Sequence, residues 1–181
     1  LFPYTTLFRS NGNCDVVEFN CVNRCYGMVS EAAESFSLFI GDQFSCPLNV
    51  LNPKSKSSKH TGGTLAAIDL NGNGIKDLII GDVTEPNLAA VYLVDTPQGP
   101  DSAVAYTNQF PMSPPVDLHL FPAAYYEDVT NDGISDLLVA PNAIFGAEDR
   151  KSVWLYVNQG TEIQPDWIFS SEDFLQNQSV D

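Results

Sequence analysis

The stretch that decides the fold reads Ala67-Ile-Asp-Leu-Asn-Gly-Asn-Gly-Ile-Lys-Asp-Leu-Ile-Ile80. It recurs without gaps, 59 residues later, as Tyr126-Glu-Asp-Val-Thr-Asn-Asp-Gly-Ile-Ser-Asp-Leu-Leu-Val139. Each copy joins an Asp-, Asn- and Gly-rich turn to an apolar, β-prone run, and a second β-prone run follows at residues 91–94 and 153–156. A period of this size with several short strands predicts propeller blades rather than helical repeats.

The fold class expected from this pattern is all-β. No stretch shows sustained 3.6-residue apolar periodicity, so long helices are not expected. We expect a β-propeller fragment of about three blades, each made of four antiparallel strands, with tandem repeats over residues 59–181. Because propellers close with four to eight blades, we expect the chain to be incomplete at both ends.

Both copies place oxygen-bearing side chains at alternating positions around a glycine. Calcium takes six to eight oxygen ligands in a flexible shell, and such a turn can supply them. The second copy has three carboxylates against two in the first, so we expect it to bind the ion more strongly. Thr130 stands where an Asp or Asn is usual, so we expect a weak contribution from it or none. The predicted ligands are Asp69, Asn71, Asn73, Asp77 and the Ile75 carbonyl in the first copy, and Asp128, Thr130, Asp132, Asp136 and the Ile134 carbonyl in the second.

An EF-hand loop or a plain Asx-Gly turn could also contain residues of this kind. An EF-hand requires a Glu at its twelfth position and a helix on each side. Counting from Asp69 and Asp128 gives Ile80 and Val139, so an EF-hand is excluded. Plain Asx-Gly turns that bind nothing are the alternative. However, a simple turn does not require an Asp three residues after the Gly in both copies.

The pattern Asp-x-Asx-x-Asx-Gly-x-x-Asp followed by an apolar run, from which the second copy departs at Thr130, resembles FG-GAP/VCBS repeats, the calcium-binding blades of integrin α-subunit propellers and many bacterial surface proteins. The flanks His60-Thr-Gly-Gly-Thr-Leu-Ala-Ala-Ile-Asp69 and Phe121-Pro-Ala-Ala-Tyr-Tyr-Glu-Asp128 are similar to long secreted propeller proteins of Bacteroidota. The resemblance covers about residues 60–175. It implies Ca²⁺ as a structural ion and a secreted or cell-surface location, by type IX secretion in that group.

The overall charge limits the classes of partner. The net charge is −15, with 23 acidic and 8 basic residues. Nucleic-acid affinity depends mainly on basic side chains that neutralise phosphates, so a nucleic-acid partner is not expected. No apolar run reaches the roughly 18 residues of a membrane span. The expected partner is an extracellular protein or glycan.

The N-terminal third differs from the repeats. Residues 1–10 resemble the translation of a sequencing adapter more than the tail of a signal peptide, because they lack a basic n-region and a continuous apolar core. Residues 11–58 are predicted to be a Cys-bearing β segment, either a partial blade or an insertion. Four cysteines in one compact segment favour two disulfides in an oxidising compartment over zinc or free thiols. Three pairings are possible. The candidates are Cys14, Cys21, Cys25 and Cys46.

The sequence does not indicate an enzyme. It has no Gly-x-Ser-x-Gly elbow and no phosphate-binding loop, and neither His60 nor His119 has the spacing of a zinc helix. A carbohydrate- or protein-binding surface could be formed by Trp154, Trp167, Tyr125 and Tyr126, although packing between blades is the favoured role. The predicted function is a calcium-binding scaffold for recognition or adhesion. The alternative is a non-catalytic propeller region of a secreted polysaccharide-degrading enzyme.

Overall fold

The computed structural model describes residues 30–31, 38–40, 63–96, 101–143 and 150–175. These ranges contain β-strands and no helix, which confirms the all-β prediction; none of them holds a helix long and apolar enough to cross a membrane. The strands are β1 (Ser30–Glu31), β2 (Leu38–Phe39), β3 (Gly63–Ile68), β4 (Asp77–Asp82), β5 (Leu88–Val94), β6 (Ser102–Phe110), β7 (Pro122–Glu127), β8 (Asp136–Pro141), β9 (Trp154–Asn158) and β10 (Trp167–Ser171).

Two antiparallel sheets of four strands form the main body of the described chain. The first sheet has the order β3-β4-β5-β6 and the second has the order β7-β8-β9-β10, so every strand pairs with its neighbour in sequence. Equivalent register pairs close the first hairpin of each sheet, Ile68 with Asp77 and Glu127 with Asp136. The sequence repeat is therefore also a repeat of strand topology. Strands β1 and β2 form a separate two-stranded sheet.

The first sheet is covered on both faces. Along β5, Leu88 and Ala90 belong to a core shared with the second sheet, whereas Ala89 and Val91 belong to a core on the opposite face, which also contains Leu38 of β2. Successive side chains of a strand point to opposite faces, so burial on both sides requires an unbroken apolar run. The run Leu88-Ala-Ala-Val91 meets that requirement, and all four residues are buried.

The two sheets contact each other along their first strands. The Thr64 hydroxyl of β3 donates a hydrogen bond of 2.6 Å to the Pro122 carbonyl of β7. The same carbonyl lies against Gly81 of β4, where a Cβ would come within 2.0 Å of it. Such an approach requires glycine because any side chain would separate the strands.

Several local predictions fall within the described residues. Strand β2 lies within residues 35–40, which the sequence predicts to be β-rich, and residues 117–121 lead into β7. The strand-like runs at 91–94 and 153–156 correspond to β5 and β9, although β9 begins at Trp154. The four cysteines, His60 and residues 1–10 lie outside the described residues.

Candidate functional site

The two candidate loops occupy equivalent places in their sheets. Residues 69–76, the first loop, connect β3 to β4, and residues 128–135, the second loop, connect β7 to β8. Because both hairpins run in the same sense, the loops lie at corresponding edges of the two sheets. Strands rather than helices flank both loops, which agrees with the exclusion of an EF-hand.

The backbone of the two loops has the same handedness at matched positions. Gly72 and Asn131 have φ angles of 76° and 58°, and Gly74 and Gly133 have φ angles of 83° and 89°. Glycine adopts this left-handed region freely, and Asn tolerates it better than most residues. The repeat therefore preserves a backbone path even where Gly72 is replaced by Asn131.

The first carboxylate of each loop binds the loop's own backbone. Asp69 accepts hydrogen bonds from the N–H groups of Asn71, Gly72 and Gly74, at 3.3, 2.8 and 2.9 Å. In the second loop, Asp128 accepts from Asp132 and Gly133, at 3.2 and 2.9 Å. These bonds hold the chain around the carboxylate, as in an Asx turn.

The last carboxylate of each set is fully buried and joins three segments of chain. Asp77 accepts the Leu70 N–H at 2.9 Å and the Leu93 N–H at 2.7 Å, so it connects the start of the first loop to β5. Asp136 accepts the Val129 N–H at 3.2 Å and the Asn158 N–H at 2.9 Å, which connects the second loop to β9. The Thr130 N–H adds a third bond at 3.1 Å.

The middle positions form smaller turns. The Asn73 side-chain oxygen accepts the Ile75 N–H at 2.8 Å, and the Asp132 carboxylate accepts the Ile134 N–H at 2.9 Å. Asn73 also donates its amide to the Leu93 carbonyl at 2.7 Å. An Asp could not make this last bond, because a carboxylate has no donor.

Burial and neighbouring charge act together on Asp77. Burial raises the pKa of its carboxyl group, the hydrogen bonds from Leu93 and Leu70 oppose that rise, and the nearby Asp69 charge adds to it. A second carboxylate at close range disfavours ionisation of the first. The first loop therefore concentrates negative charge at a buried position, where a bound cation would be stabilising.

The turn between β9 and β10 adds a carboxylate that the sequence did not indicate. Glu162 accepts hydrogen bonds from the Ser135 N–H and, at 2.9 Å, from the Tyr126 hydroxyl. Desolvation acts to raise the pKa of Glu162, but the bonds from Ser135 and Tyr126 outweigh it and hold this pKa below its usual range. Burial and the hydrogen bond to Glu162 raise the pKa of Tyr126. The contact spans 27 residues from Ser135, and no local pattern could have revealed it.

The donor set of the loops fits calcium in its chemistry. Calcium prefers carboxylate, amide and backbone oxygens, and each carboxylate has about four acceptor positions. Backbone N–H groups occupy two of these at Asp77 and three at Asp69. Within the described ranges, no three His, Cys, Asp or Glu side chains converge as a metal-binding group. The second loop therefore presents its three carboxylates separately, each engaged with the backbone.

The aromatic candidates are largely packed within the second sheet. Tyr126 and Trp167 meet edge to face with centroids 5.8 Å apart, and Trp154 meets Phe169 in the same way at 5.4 Å. Tyr125 is the exception, with 49% of its surface exposed. His119 is exposed, on the segment that leads into β7.

Comparisons with protein-family models, with curated proteins and with solved structures find no match to this chain.

Proposed function

We propose that this chain is part of a secreted or cell-surface β-propeller of the FG-GAP/VCBS type, which serves as a calcium-stabilised scaffold for recognition or adhesion. The observation that carries the proposal is the equivalence of the two loops. Both have the same backbone handedness and a buried Asp, Asp77 or Asp136, that connects the loop to the third strand of its sheet.

The arrangement of the sheets supports the propeller. Consecutive blades of a propeller are four-stranded antiparallel sheets stacked around an axis, with their first strands closest to one another. In this chain the first and second sheets share a core and contact each other through β3 and β7. Leu38 of β2 packs on the other face of the first sheet, where a preceding blade would lie. About three blades of a ring of four to eight would then come from this chain.

Calcium would complete the loops. The residues that would hold it are the predicted side chains with the Ile75 and Ile134 carbonyls, and in the first loop the ion would supply positive charge beside Asp69 and Asp77, which repel each other. The chain's own residues already fix the loop backbone through Asp69 and Asp128. The ion's role would therefore be to stabilise a hairpin that is largely preformed, not to take part in a reaction.

The test is thermal unfolding of the full chain with calcium, with magnesium and with chelator. Calcium at one hundred times its Kd stabilises a protein by about 2.7 kcal/mol, which raises the midpoint by several degrees. We expect this rise with calcium, and a smaller one with magnesium, which demands a stricter octahedral shell.

The Asp69→Ala/Asp128→Ala double variant assigns the effect to the loops. Both carboxylates also hold backbone N–H groups, so the variant should melt at a lower temperature even in chelator. The informative quantity is therefore the increment caused by calcium, which should disappear. A cooperative melt of the wild-type chain that ignores calcium would reduce the loops to Asx-Gly turns and contradict the proposal.

A further inference from the structure

The second sheet has a cavity at the edge opposite the second loop. Its volume is about 270 Å³. It lies between the segment that precedes β7, the end of β8 at Pro141, the start of β9 and the end of β10. None of its lining residues belongs to the candidate calcium loops, so it is a separate site on the same sheet.

The walls of the cavity combine an indole ring with hydrogen-bond donors and acceptors. Trp154 contributes the ring, and Asp117 and His119 project from the segment before β7, where both are exposed. On the opposite side, the Lys151 ammonium and the Glu172 carboxylate form an ion pair. The cavity therefore offers an apolar surface bordered by donors and acceptors.

The indole ring is held in place by its neighbours. It packs edge to face on Phe169, with centroids 5.4 Å apart, and lies 6.3 Å from Tyr156. Its N–H donates to the Lys151 carbonyl at 2.9 Å. Because the N–H is used within the protein, the ring offers a ligand apolar surface rather than a polar contact.

The backbone around the cavity is fixed in an unusual conformation. Phe121 and Lys151 have φ angles of 45° and 53°, which non-glycine residues rarely adopt. The Phe121 carbonyl accepts the Asn142 N–H at 2.8 Å, and the Leu118 N–H donates to the carbonyl of Pro86, in the turn between β4 and β5, at 2.8 Å. Strained positions of this kind persist where the surroundings enforce them, and they concentrate at ligand sites.

We propose that this cavity binds a neutral sugar ring of an extracellular glycan, an inference that rests on the recognition role proposed for the scaffold. A sugar ring presents an apolar C–H face, which suits an indole surface, and hydroxyl groups that donate and accept hydrogen bonds. Apolar and polar surface meet in this cavity, as a sugar requires, and its volume of about 270 Å³ suits a ligand smaller than those of typical pockets.

The charges of the cavity disfavour an anionic ligand. Lys151 is already paired with Glu172, and Asp117 adds a second carboxylate. An anionic sugar or a phosphate would approach these carboxylates in a chain whose net charge is −15. A neutral ring can accept from Lys151 or His119 and donate to the carboxylates without that repulsion.

The test measures binding of defined oligosaccharides to the full chain by tryptophan fluorescence and saturation-transfer NMR. The neutral probes are cellotetraose, xylotetraose and chitotetraose, and the acidic probe is tetragalacturonate. We expect at least one neutral probe to bind. Trp154→Phe, which keeps an aromatic ring against Phe169, and His119→Ala, at an exposed position, should each weaken binding roughly three- to tenfold.

Trp167→Phe is the matched control. Trp167 is the first residue of β10, on the side of the same sheet that lies nearer the second loop. It packs on Tyr126 and does not line the cavity. Its replacement should leave sugar binding unchanged. Binding of none of the neutral probes, binding of tetragalacturonate alone, or wild-type affinity in both cavity variants would overturn the inference.

The calcium response of the same proteins separates the two proposals. Trp154→Phe and His119→Ala change no candidate calcium ligand, so both should keep the calcium-dependent rise in melting midpoint. A chain that responds to calcium but binds no neutral sugar retains the scaffold proposal and loses this one. A chain that binds sugar at Trp154 without responding to calcium supports the sugar-binding cavity and contradicts the calcium-stabilised scaffold.

Discussion

The Asp136 carboxylate accepts the backbone N–H of Asn158 at 2.9 Å, and this bond connects the beginning of β8 to the end of β9. Its other oxygen accepts the N–H groups of Val129 and Thr130. One buried side chain thus holds together the loop, the second strand and the third strand of the sheet. Asp77 does the same for the first sheet through Leu70 and Leu93.

We expect Asp136→Asn to destabilise the fold by about 3 kcal/mol. An Asn has one acceptor oxygen, so its amide nitrogen would face a backbone N–H and leave that donor buried without a partner. The measurement is urea unfolding of the full chain in chelator, where no ion contributes. Asp132→Asn is the matched control: Asp132 is exposed and accepts one N–H that an Asn oxygen can also accept, so its effect should stay within about 0.5 kcal/mol. Equal losses in the two variants would contradict the structural role of Asp136.

The same Asp132→Asn variant should behave differently once calcium is present. It removes one of three carboxylates from the second loop and makes that position resemble Asn73 of the first loop. Ligand charge sets much of the affinity for calcium, so we expect binding at this loop to weaken roughly tenfold, or about 1.4 kcal/mol. Calcium titration by calorimetry on the wild-type and variant chains measures the change. An unchanged titration would show that Asp132 does not contact the ion.

The strand order of each sheet could be predicted from the sequence because its signals are local. The β-prone run and the glycine at position 74 or 133 lie within a few residues of each other, and hairpins form between neighbours in sequence. Two copies at one spacing then indicate that the units repeat. The role of Asp77 as a connection to β5 was not predicted, because Leu93 lies 16 residues away and contributes only a backbone N–H.

The contacts made by the turn between β9 and β10 could not be predicted from the sequence either. Nothing in the residues around Glu162 distinguishes it from any exposed acid, yet it reaches Ser135 and Tyr126. The cavity at Trp154 could not be predicted from the sequence either, because its walls come from four separate segments. Packing can be predicted as a tendency of aromatic residues, but the neighbours that surround a given ring depend on how the sheets come together.

Gly81 tests that packing between sheets directly. A Cβ at this position would lie 2.0 Å from the Pro122 carbonyl oxygen and 2.5 Å from the Thr64 hydroxyl, so the two sheets would have to move apart. Overpacking typically costs about 1–3 kcal/mol, and a contact with backbone places Gly81→Ala near the upper end, at about 3 kcal/mol.

Gly63→Ala is the control, because Gly63 lies in the neighbouring strand and its added Cβ would stay 3.4 Å from the Gly81 carbonyl. We expect the free energy of unfolding of this control to lie within about 1 kcal/mol of the wild-type value. Urea unfolding of both variants provides the comparison, and amide hydrogen exchange shows where the loss occurs. Faster exchange in β3 and β7 of Gly81→Ala would place it at the contact between the sheets, whereas similar stability of the two variants would mean that the sheets do not approach each other as closely as Thr64 and Pro122 indicate.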